Sequence, residues 1–267
     1  MATPPPPPHP VAARLFAGYV RRLAQRHFAA VHWHAGEGAA PEARPPRGPI
    51  LFVANHTNWW DGFLACLVTA RLGLDFQILM EAANLDRYPV FRRVGALPVR
   101  RDSAVRAWDD LAAATAHLRR PGTALWVFPQ GARRPPAEPI TATERGAAQI
   151  IAWHDAPLTL WPVAFRYAYL GEQLPEAFVW LGEPVALAGS GGRSGSAGEG
   201  RARRREMALR IESALAATLA VLDARLSIED RTAMDLLLPG KPSINKRLDR
   251  LRHALGLLRG PFDPRNG

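Results

Sequence analysis

Pro49-Ile50-Leu51-Phe52-Val53-Ala54-Asn55-His56-Thr57-Asn58-Trp59-Trp60-Asp61 is the stretch of this sequence that decides the fold. Its first six residues form a short apolar run, which is typical of a strand buried on both faces of a sheet. Polar and aromatic residues follow, and a helix is predicted from Asp61 to Leu72. A strand that passes through a short loop into a helix is the basic unit of a layered α/β domain.

The same alternation continues along the chain on both sides of this unit. We predict further strands over 76–80, 123–128, 158–165 and 177–181, and further helices over 11–32, 102–119, 143–153, 201–226 and 243–259. Strands that alternate with helices indicate an α/β fold with a mostly parallel central sheet flanked by helices. The N-terminal and C-terminal helices are expected to be basic and amphipathic.

The composition divides the chain into four regions. Residues 1–48 hold a proline-rich tail, the first amphipathic helix and a linker, and residues 49–188 hold the α/β core. Residues 189–200 are rich in Gly and Ser and are expected to form a flexible loop. Residues 201–267 are expected to form the basic C-terminal helices.

The charge and the cysteine count limit the partners and the compartment. Lys and Arg outnumber Asp and Glu by 34 to 24, which favours an anionic partner such as nucleic acid, an acidic membrane surface, an acidic carrier protein or a phosphate-bearing substrate. The one cysteine, Cys66, cannot form an intramolecular disulfide. No secretory signal is visible, and no apolar run reaches the roughly 18 residues of a spanning helix. We therefore expect a cytoplasmic protein, peripheral on the inner face of the cell membrane.

The segment from Asn55 to Asp61 carries the strongest chemical signal. A His at the exit of a strand lies where open α/β sheets place their ligands. An Asp five residues later, near the start of a helix, can fold back and accept a hydrogen bond from the imidazole. Such a pair forms a general base with an orienting carboxylate, and it needs no protein nucleophile if the substrate supplies a hydroxyl.

A purely structural role for this segment, or a metal site, stays open at this point. An isolated His-x4-Asp is most often a loop histidine beside a helix cap. A metal site is a third possibility, although no cluster of Cys, His or carboxylates at metal-ligand spacing surrounds the pair. Cys66 lies in an apolar helix without a neighbouring charge, which disfavours it as a nucleophile.

Three later segments add to the signal. Phe128-Pro129-Gln130-Gly131-Ala132-Arg133-Arg134 follows a predicted strand with a glycine turn and two arginines, and arginine fits phosphate through paired hydrogen bonds. Gly95 to Asp102 is another strand-like run that ends in arginines. Trp161-Pro162-Val163-Ala164 lies in a later apolar run.

In order and spacing, these four segments together resemble the glycerolipid acyltransferase family, whose best-known members acylate lysophosphatidic acid. The Asn-His-x4-Asp block of the family matches Asn55, His56 and Asp61, and its second block matches 95–101 with Arg101 at the arginine position. Its Phe-Pro-Glu-Gly-Thr-Arg block matches 128–133, and its apolar-Pro-Val-Ala block matches 161–164. The resemblance extends over about residues 49–185.

The resemblance implies a glycerol-3-phosphate acyltransferase-like fold with a groove and an O-acyltransferase of phospholipid biosynthesis. His56 would be the general base that deprotonates the acceptor hydroxyl, and Asp61 would orient it. Acyl-CoA or acyl-carrier protein would be the donor substrate, without a further cofactor or metal. The residues implied to bind the substrates are Asn55, Arg101, Gln130, Gly131, Arg133 and Pro162, with Pro162 on the side of the acyl donor.

Two positions depart from the family pattern. Gln130 stands where the family has Glu, and Ala132 stands where it has Thr. Gln keeps the size and an acceptor oxygen but loses the charge and adds an NH2 donor. We therefore expect an acceptor other than lysophosphatidic acid, such as a lysophospholipid or a sugar hydroxyl on a glycolipid or glycosylated terpenoid.

Two other classes of function remain as alternatives. The departures at Gln130 and Ala132 would also suit a non-catalytic protein that binds lipid or membrane on the same fold. The net charge of +10 alone would suit a nucleic-acid binder, but no recognised nucleic-acid motif is present, so we expect no nucleic-acid partner.

Overall fold

The computed structural model describes residues 9–35, 48–140, 145–189 and 197–241, together with 243, 244, 248 and 252. Its helices are α1 Pro10–His27, α2 Asp61–Arg71, α3 Ala82–Arg87, α4 Val90–Arg93, α5 Ala104–Leu118, α6 Gly146–Trp153 and α7 Ala197–Ser227. Its strands are β1 Ala30–His34, β2 Ile50–Ala54, β3 Asp75–Glu81, β4 Ala96–Val99, β5 Thr123–Val127, β6 Leu158–Ala168, β7 Glu176–Leu181, β8 Val185–Leu187 and β9 Asp235–Pro239.

The strands form one sheet in the order β4-β3-β5-β2-β6-β7-β1-β9, with β8 paired to β6. Strands β4, β3, β5, β2 and β6 run parallel to one another. Strand β7 is antiparallel to β6, β1 is parallel to β7, and β9 is antiparallel to β1. The mostly parallel α/β fold predicted from the sequence is confirmed.

Strand β2 lies at the centre of the sheet and is buried along its whole length. Its alternate side chains enter two different cores, because successive residues of a strand point to opposite faces. Phe52 and Ala54 join the core on the side of α2, while Leu51 and Val53 join the core on the side of α6 and α7. Burial on both faces explains why this strand is a continuous apolar run.

Helix α7 covers the second core with an apolar stripe, as an amphipathic helix does. Ile211, Leu215, Leu219 and Leu222 are buried against the sheet. The helix begins at Ala197, inside the predicted loop 189–200, and residues 190–196 of that loop lie outside the described residues. The same holds for the tail 1–8, the linker 36–47 and all but four residues of 243–259.

The predicted helix over 11–32 is wrong in its last turn. Helix α1 ends at His27, and the backbone of Phe28 is already extended, with φ −119° and ψ 149°. Val31 and Trp33 are buried while His32 between them is partly exposed, which is the period of a strand. Strands β1 and β9 thus extend the sheet with residues from both sides of 49–188. Strands β8 and β9 and the short helices α3 and α4 were not predicted.

In the described part of the chain, none of the helices combines the length and the apolar character needed to cross a bilayer.

Gly95 allows β4 to lie against β3. Its φ is +108°, which disfavours any residue with a Cβ. A Cβ built at Gly95 would lie 2.2 Å from the carbonyl oxygen of Phe76. The carbonyl of Gly95 accepts a hydrogen bond from the Ile78 N–H at 3.0 Å, and the pairing of β3 with β4 begins there. Strand β4 then carries the chain to Arg101.

Gly95→Ala is expected to lower the free energy of unfolding by at least about 2 kcal/mol, because the new Cβ meets both a forbidden φ and a backbone oxygen. Gly122→Ala is the matched control, since its φ is +77° but nothing lies within 4 Å of the added Cβ. The control is expected to lose only about 1 kcal/mol. Urea unfolding of both variants measures this difference, and equal losses would contradict the steric argument.

Candidate active site

His56 and Asp61 lie at the carboxyl end of the central strand β2, where the chain turns into α2. The Nδ1 atom of His56 lies 2.8 Å from Oδ2 of Asp61. Asp61 is fully buried, whereas the side chain of His56 keeps 24% of its surface exposed. One ring edge of the histidine therefore meets a buried carboxylate, and the rest of the ring is open to a substrate.

Four donors surround the carboxylate of Asp61. Its Oδ2 accepts hydrogen bonds from His56 Nδ1 and from the backbone N–H groups of Thr57 at 2.7 Å and Asn58 at 2.9 Å. Its Oδ1 accepts a hydrogen bond from the hydroxyl of Tyr167 at 2.6 Å. Asp61 is also the first residue of α2, where the helix dipole favours a negative charge. These donors compensate the cost of burying a carboxylate.

The surroundings of Asp61 fix the tautomer of His56. A carboxylate that already accepts two backbone N–H groups is an acceptor, so the Nδ1 atom of His56 carries a proton and donates it. The lone pair of neutral His56 is then on Nε2. Within the described residues Nε2 makes no hydrogen bond, so it is able to accept a proton from a substrate.

The turn over 128–134 holds the backbone of His56 from both sides. The side-chain oxygen of Gln130 accepts a hydrogen bond from the His56 N–H at 2.7 Å, and the Arg134 N–H donates to the His56 carbonyl at 2.8 Å. The ring of Phe128 stacks on the imidazole with a centroid distance of 4.4 Å. The turn therefore fixes the position of the histidine through backbone, side chain and ring.

Arg101 and Arg133 lie on the loops that follow β4 and β5. Arg101 Nη1 donates to the carbonyl of Gly131 at 2.8 Å, which joins the two loops. Gly131 has a φ of +67°, as a tight turn requires. Arg133 is exposed at the same edge. By contrast, Arg100 forms an ion pair with Asp110 of α5 and supports the loop.

Asn55 does not lie in contact with the open side of the site. It is fully buried, its Nδ2 donates to the Phe165 carbonyl at 3.1 Å, and its Oδ1 accepts from the Phe165 N–H at 2.7 Å. Both ends of its amide fasten the exit of β2 to β6, so a contact of Asn55 with a substrate stays a prediction. Gln130, only 8% exposed, likewise holds His56 in this structure.

Pro162 does not lie beside His56 in the fold. It lies in the middle of β6, level with Val53 of β2. Its ring is on the side of α7, since a Cβ on Gly182 would meet both Pro162 and Thr218. A contact of Pro162 with the acyl donor stays a prediction.

Two site residues were missed in the sequence. The sequence identified Phe128 as the end of a strand and the first residue of a matched block, but not as the ring that stacks on the imidazole. Tyr167 was not considered, although it follows Phe165 on the same face of β6 at the two-residue period of a strand. That period was the signal available, but it does not reveal that the hydroxyl reaches Asp61.

Cys66 and metal binding receive no support from the structure. Burial raises the pKa of the Cys66 thiol to about 12, so a thiolate is scarce at neutral pH. In the described ranges, no group of three or more His, Cys, Asp or Glu residues could hold a metal ion.

Comparisons with known proteins agree with this fold. Residues 38–166, which contain His56, Asp61 and the turn over 128–134, match the model of the Acyltransferase family. The chain is similar to the crystal structure of PlsC, the 1-acyl-sn-glycerophosphate (LPA) acyltransferase from Thermotoga maritima, with a TM-score of 0.51 and 18% sequence identity. The similarity covers 80% of this chain and 80% of that chain. Among curated proteins, none matches this sequence. The predicted fold is thus confirmed, and the match to the Acyltransferase model supports the predicted family.

Gln130→Met is expected to lower the free energy of unfolding by about 1 kcal/mol, because it keeps the length of the side chain but leaves the His56 N–H without its acceptor. Gln130→Glu is the matched control, since it restores an acceptor oxygen at the same position. Urea unfolding measures both variants. A Gln130→Met protein as stable as the wild type would show that this hydrogen bond does not hold the loop.

Proposed function

We propose that this enzyme, whose residues 38–166 match the Acyltransferase model, moves a fatty acyl group from acyl-CoA or acyl-carrier protein to a hydroxyl of a lipid acceptor. The observation that carries the proposal is the hydrogen bond of 2.8 Å between His56 Nδ1 and the fully buried Asp61. It leaves Nε2 of a partly exposed histidine as a base at the mouth of the site.

The transfer would proceed without a covalent acyl-enzyme. His56 Nε2 takes the proton from the acceptor hydroxyl while that oxygen attacks the thioester carbonyl. The imidazolium faces Asp61, and it then returns the proton to the leaving thiol as the carbon–sulfur bond breaks. Within the described residues, the hydrogen bonds of His56 go to Asp61, Gln130 and Arg134, and none goes to a serine, threonine or cysteine. This supports the acceptor hydroxyl as the nucleophile.

The arginines at the edge of the site favour an acceptor with an anionic head. Arg133 is exposed beside the turn that holds His56, and Arg101 is tied to the same turn through Gly131. Guanidinium groups suit phosphate oxygens. We propose a lysophospholipid or another hydroxyl-bearing lipid as the acceptor, with Arg101, Gly131 and Arg133 at its head. Gln130 and Ala132 place no negative charge beside these arginines, whereas the family has Glu at the position of Gln130. This difference distinguishes the proposed site from that expected for lysophosphatidic acid.

An exposed apolar surface beside the site would bring the enzyme to its lipid. We name it the apolar rim, and its members are Val11, Leu15 and Tyr19 of α1, Trp59 of the loop between His56 and Asp61, and Tyr88 and Val90 near α4. Leu15 is 71% exposed and Trp59 is 56% exposed. Exposed aromatic and apolar side chains in one patch are typical of an interaction surface.

Contacts between less exposed aromatic rings connect the members of the apolar rim. Phe16 of α1 lies 5.9 Å from Phe63 of α2 and 6.0 Å from Phe91 of α4, measured between ring centroids. Phe63 in turn contacts Trp59 at 4.4 Å, and Phe91 contacts Tyr88 at 6.2 Å. Arg14, Arg21 and Arg22 of α1 are exposed beside the rim. We propose that the rim enters the interface of an anionic membrane with the arginines at the headgroups, so that the site opens toward the lipid.

His56→Ala is expected to lower acyl transfer from acyl-CoA or acyl-carrier protein to a lysophospholipid panel by at least about 10³-fold, because the general base is lost. His9→Ala, which alters an exposed histidine outside the site, is the control and should keep wild-type activity. Mass spectrometry of the lipid products measures the transfer, and thermal unfolding checks the fold. Wild-type activity in a folded His56→Ala protein would overturn the mechanism.

Leu15→Ser combined with Tyr19→Ser is expected to reduce binding to vesicles that contain anionic phospholipid by about tenfold, because two apolar side chains no longer enter the interface. Leu209→Ser combined with Ile228→Ser is the control, since both residues are exposed but lie outside the rim. Flotation at low salt gives the bound fraction. Equal losses in both double variants, or no binding by the wild type, would argue against the rim as the membrane surface.

A further inference from the structure

Tyr167 lies near the end of β6 and reaches the side of Asp61 that faces away from His56. Its hydroxyl donates to Oδ1 of Asp61 at 2.6 Å. Its ring stacks on Phe28 at a centroid distance of 5.9 Å and an interplanar angle of 23°. Burial and the neighbouring Asp61 charge raise the pKa of Tyr167 well above its usual value. The phenol therefore stays protonated and acts as a donor to the carboxylate.

The two oxygens of Asp61 are held unequally. Oδ2 has three donors, namely His56 Nδ1 and the backbone N–H groups of Thr57 and Asn58. In the described part of the chain, the donor to Oδ1 is Tyr167 alone. The three donors on Oδ2 come from the same loop as His56, so they move with it. Tyr167 comes from strand β6 and therefore ties the carboxylate to the sheet.

Strand β6 fixes both ends of the loop that carries His56. Phe165 binds the side chain of Asn55 through its own N–H and carbonyl, immediately before His56. Tyr167, two residues further along β6, binds Asp61 at the end of the loop. Because residues two apart in a strand face the same side, one strand can hold both points at a constant separation.

We infer that Tyr167 is a positioning residue of the acyl transfer, which holds the Asp61 carboxylate so that Oδ2 faces His56 Nδ1. The inference rests on the proposed function, in which His56 is the base. Without the hydroxyl, the carboxylate is held only through Oδ2, by donors of the same loop that carries His56. It can then shift with that loop, because nothing else in the described residues ties Oδ1 to the sheet. The imidazole then loses a fixed partner, although no group that touches the substrate has changed.

Tyr167→Phe removes the hydroxyl and keeps the ring on Phe28. We expect kcat to fall by about 10- to 100-fold, because small losses of orientation at the reacting groups have effects of this size. KM for the acceptor and for the donor should change by less than about twofold, because substrate contacts are kept. Tyr169→Phe is the matched control, since Tyr169 is 70% exposed two residues later in the chain. The control should keep the wild-type kcat.

A spectroscopic measurement separates positioning from general destabilisation. The His56 Nδ1–H proton should give a downfield NMR signal in the wild type and in Tyr169→Phe. That signal should be lost or shifted in Tyr167→Phe, although the protein still unfolds cooperatively. An unchanged signal together with an unchanged kcat would overturn the inference. A Tyr167→Phe protein without a cooperative unfolding transition would also overturn it, because the hydroxyl would then serve the fold as a whole.

A double-mutant cycle with Asp61→Asn tests whether Tyr167 acts through Asp61. If it does, adding Tyr167→Phe to Asp61→Asn should lower kcat by less than about twofold more, whereas independent effects would multiply. His56→Ala, assayed in parallel, keeps the two proposals apart. Full activity in His56→Ala would remove the proposed mechanism itself. An inactive His56→Ala beside a fully active Tyr167→Phe would remove only the role of Tyr167.

Discussion

The burial of the Asp61 carboxylate is the constraint on which the rest of the site depends. A fully buried carboxylate is costly unless each of its oxygens is satisfied, and here four hydrogen-bond donors do so. Two of these donors are backbone N–H groups. Their hydrogen bonds to Asp61 form only when the loop after β2 turns back on the start of α2. The loop conformation, the orientation of His56 and the position of Tyr167 thus follow from satisfying one charge.

The sheet places this charge where chemistry is possible. The carboxyl ends of β2, β4 and β5 meet at one edge of the parallel sheet, so the histidine, Arg101 and the turn over 128–134 converge there. The turn then grips the backbone of His56 through Gln130 and Arg134. Helix α1 and the loop around Trp59 line the same region with apolar side chains. In the proposed function, the base, the cationic edge and the apolar rim lie together, as a reaction on an amphiphile would require.

The sequence revealed most where residue type and local period coincide. The centre of the sheet was predicted from the apolar run over 50–54. The polar loop that follows it and the two later glycine-containing segments brought His56, Asp61 and the turn over 128–134 into one hypothesis. The sequence failed where long-range pairing decides the structure. Strands β1 and β9 pair across the sheet with β7 and with each other, and nothing local distinguishes β1 from the end of α1. Asn55 and Tyr167 owe their roles to contacts with β6 and Asp61 that are 110 and 106 residues away in sequence, respectively.

The charge of Asp61 is the feature of the proposed site that a single substitution tests most directly. Asp61→Asn keeps an oxygen that can accept from Thr57, Asn58 and His56, but it removes the negative charge that, in the proposed mechanism, would stabilise the imidazolium during transfer. The decisive measurement is kcat of Asp61→Asn with the fold checked by thermal unfolding. We expect kcat to fall by about 10³- to 10⁴-fold in a folded protein. A folded Asp61→Asn enzyme within about tenfold of wild type would contradict the claim that a buried carboxylate drives the base.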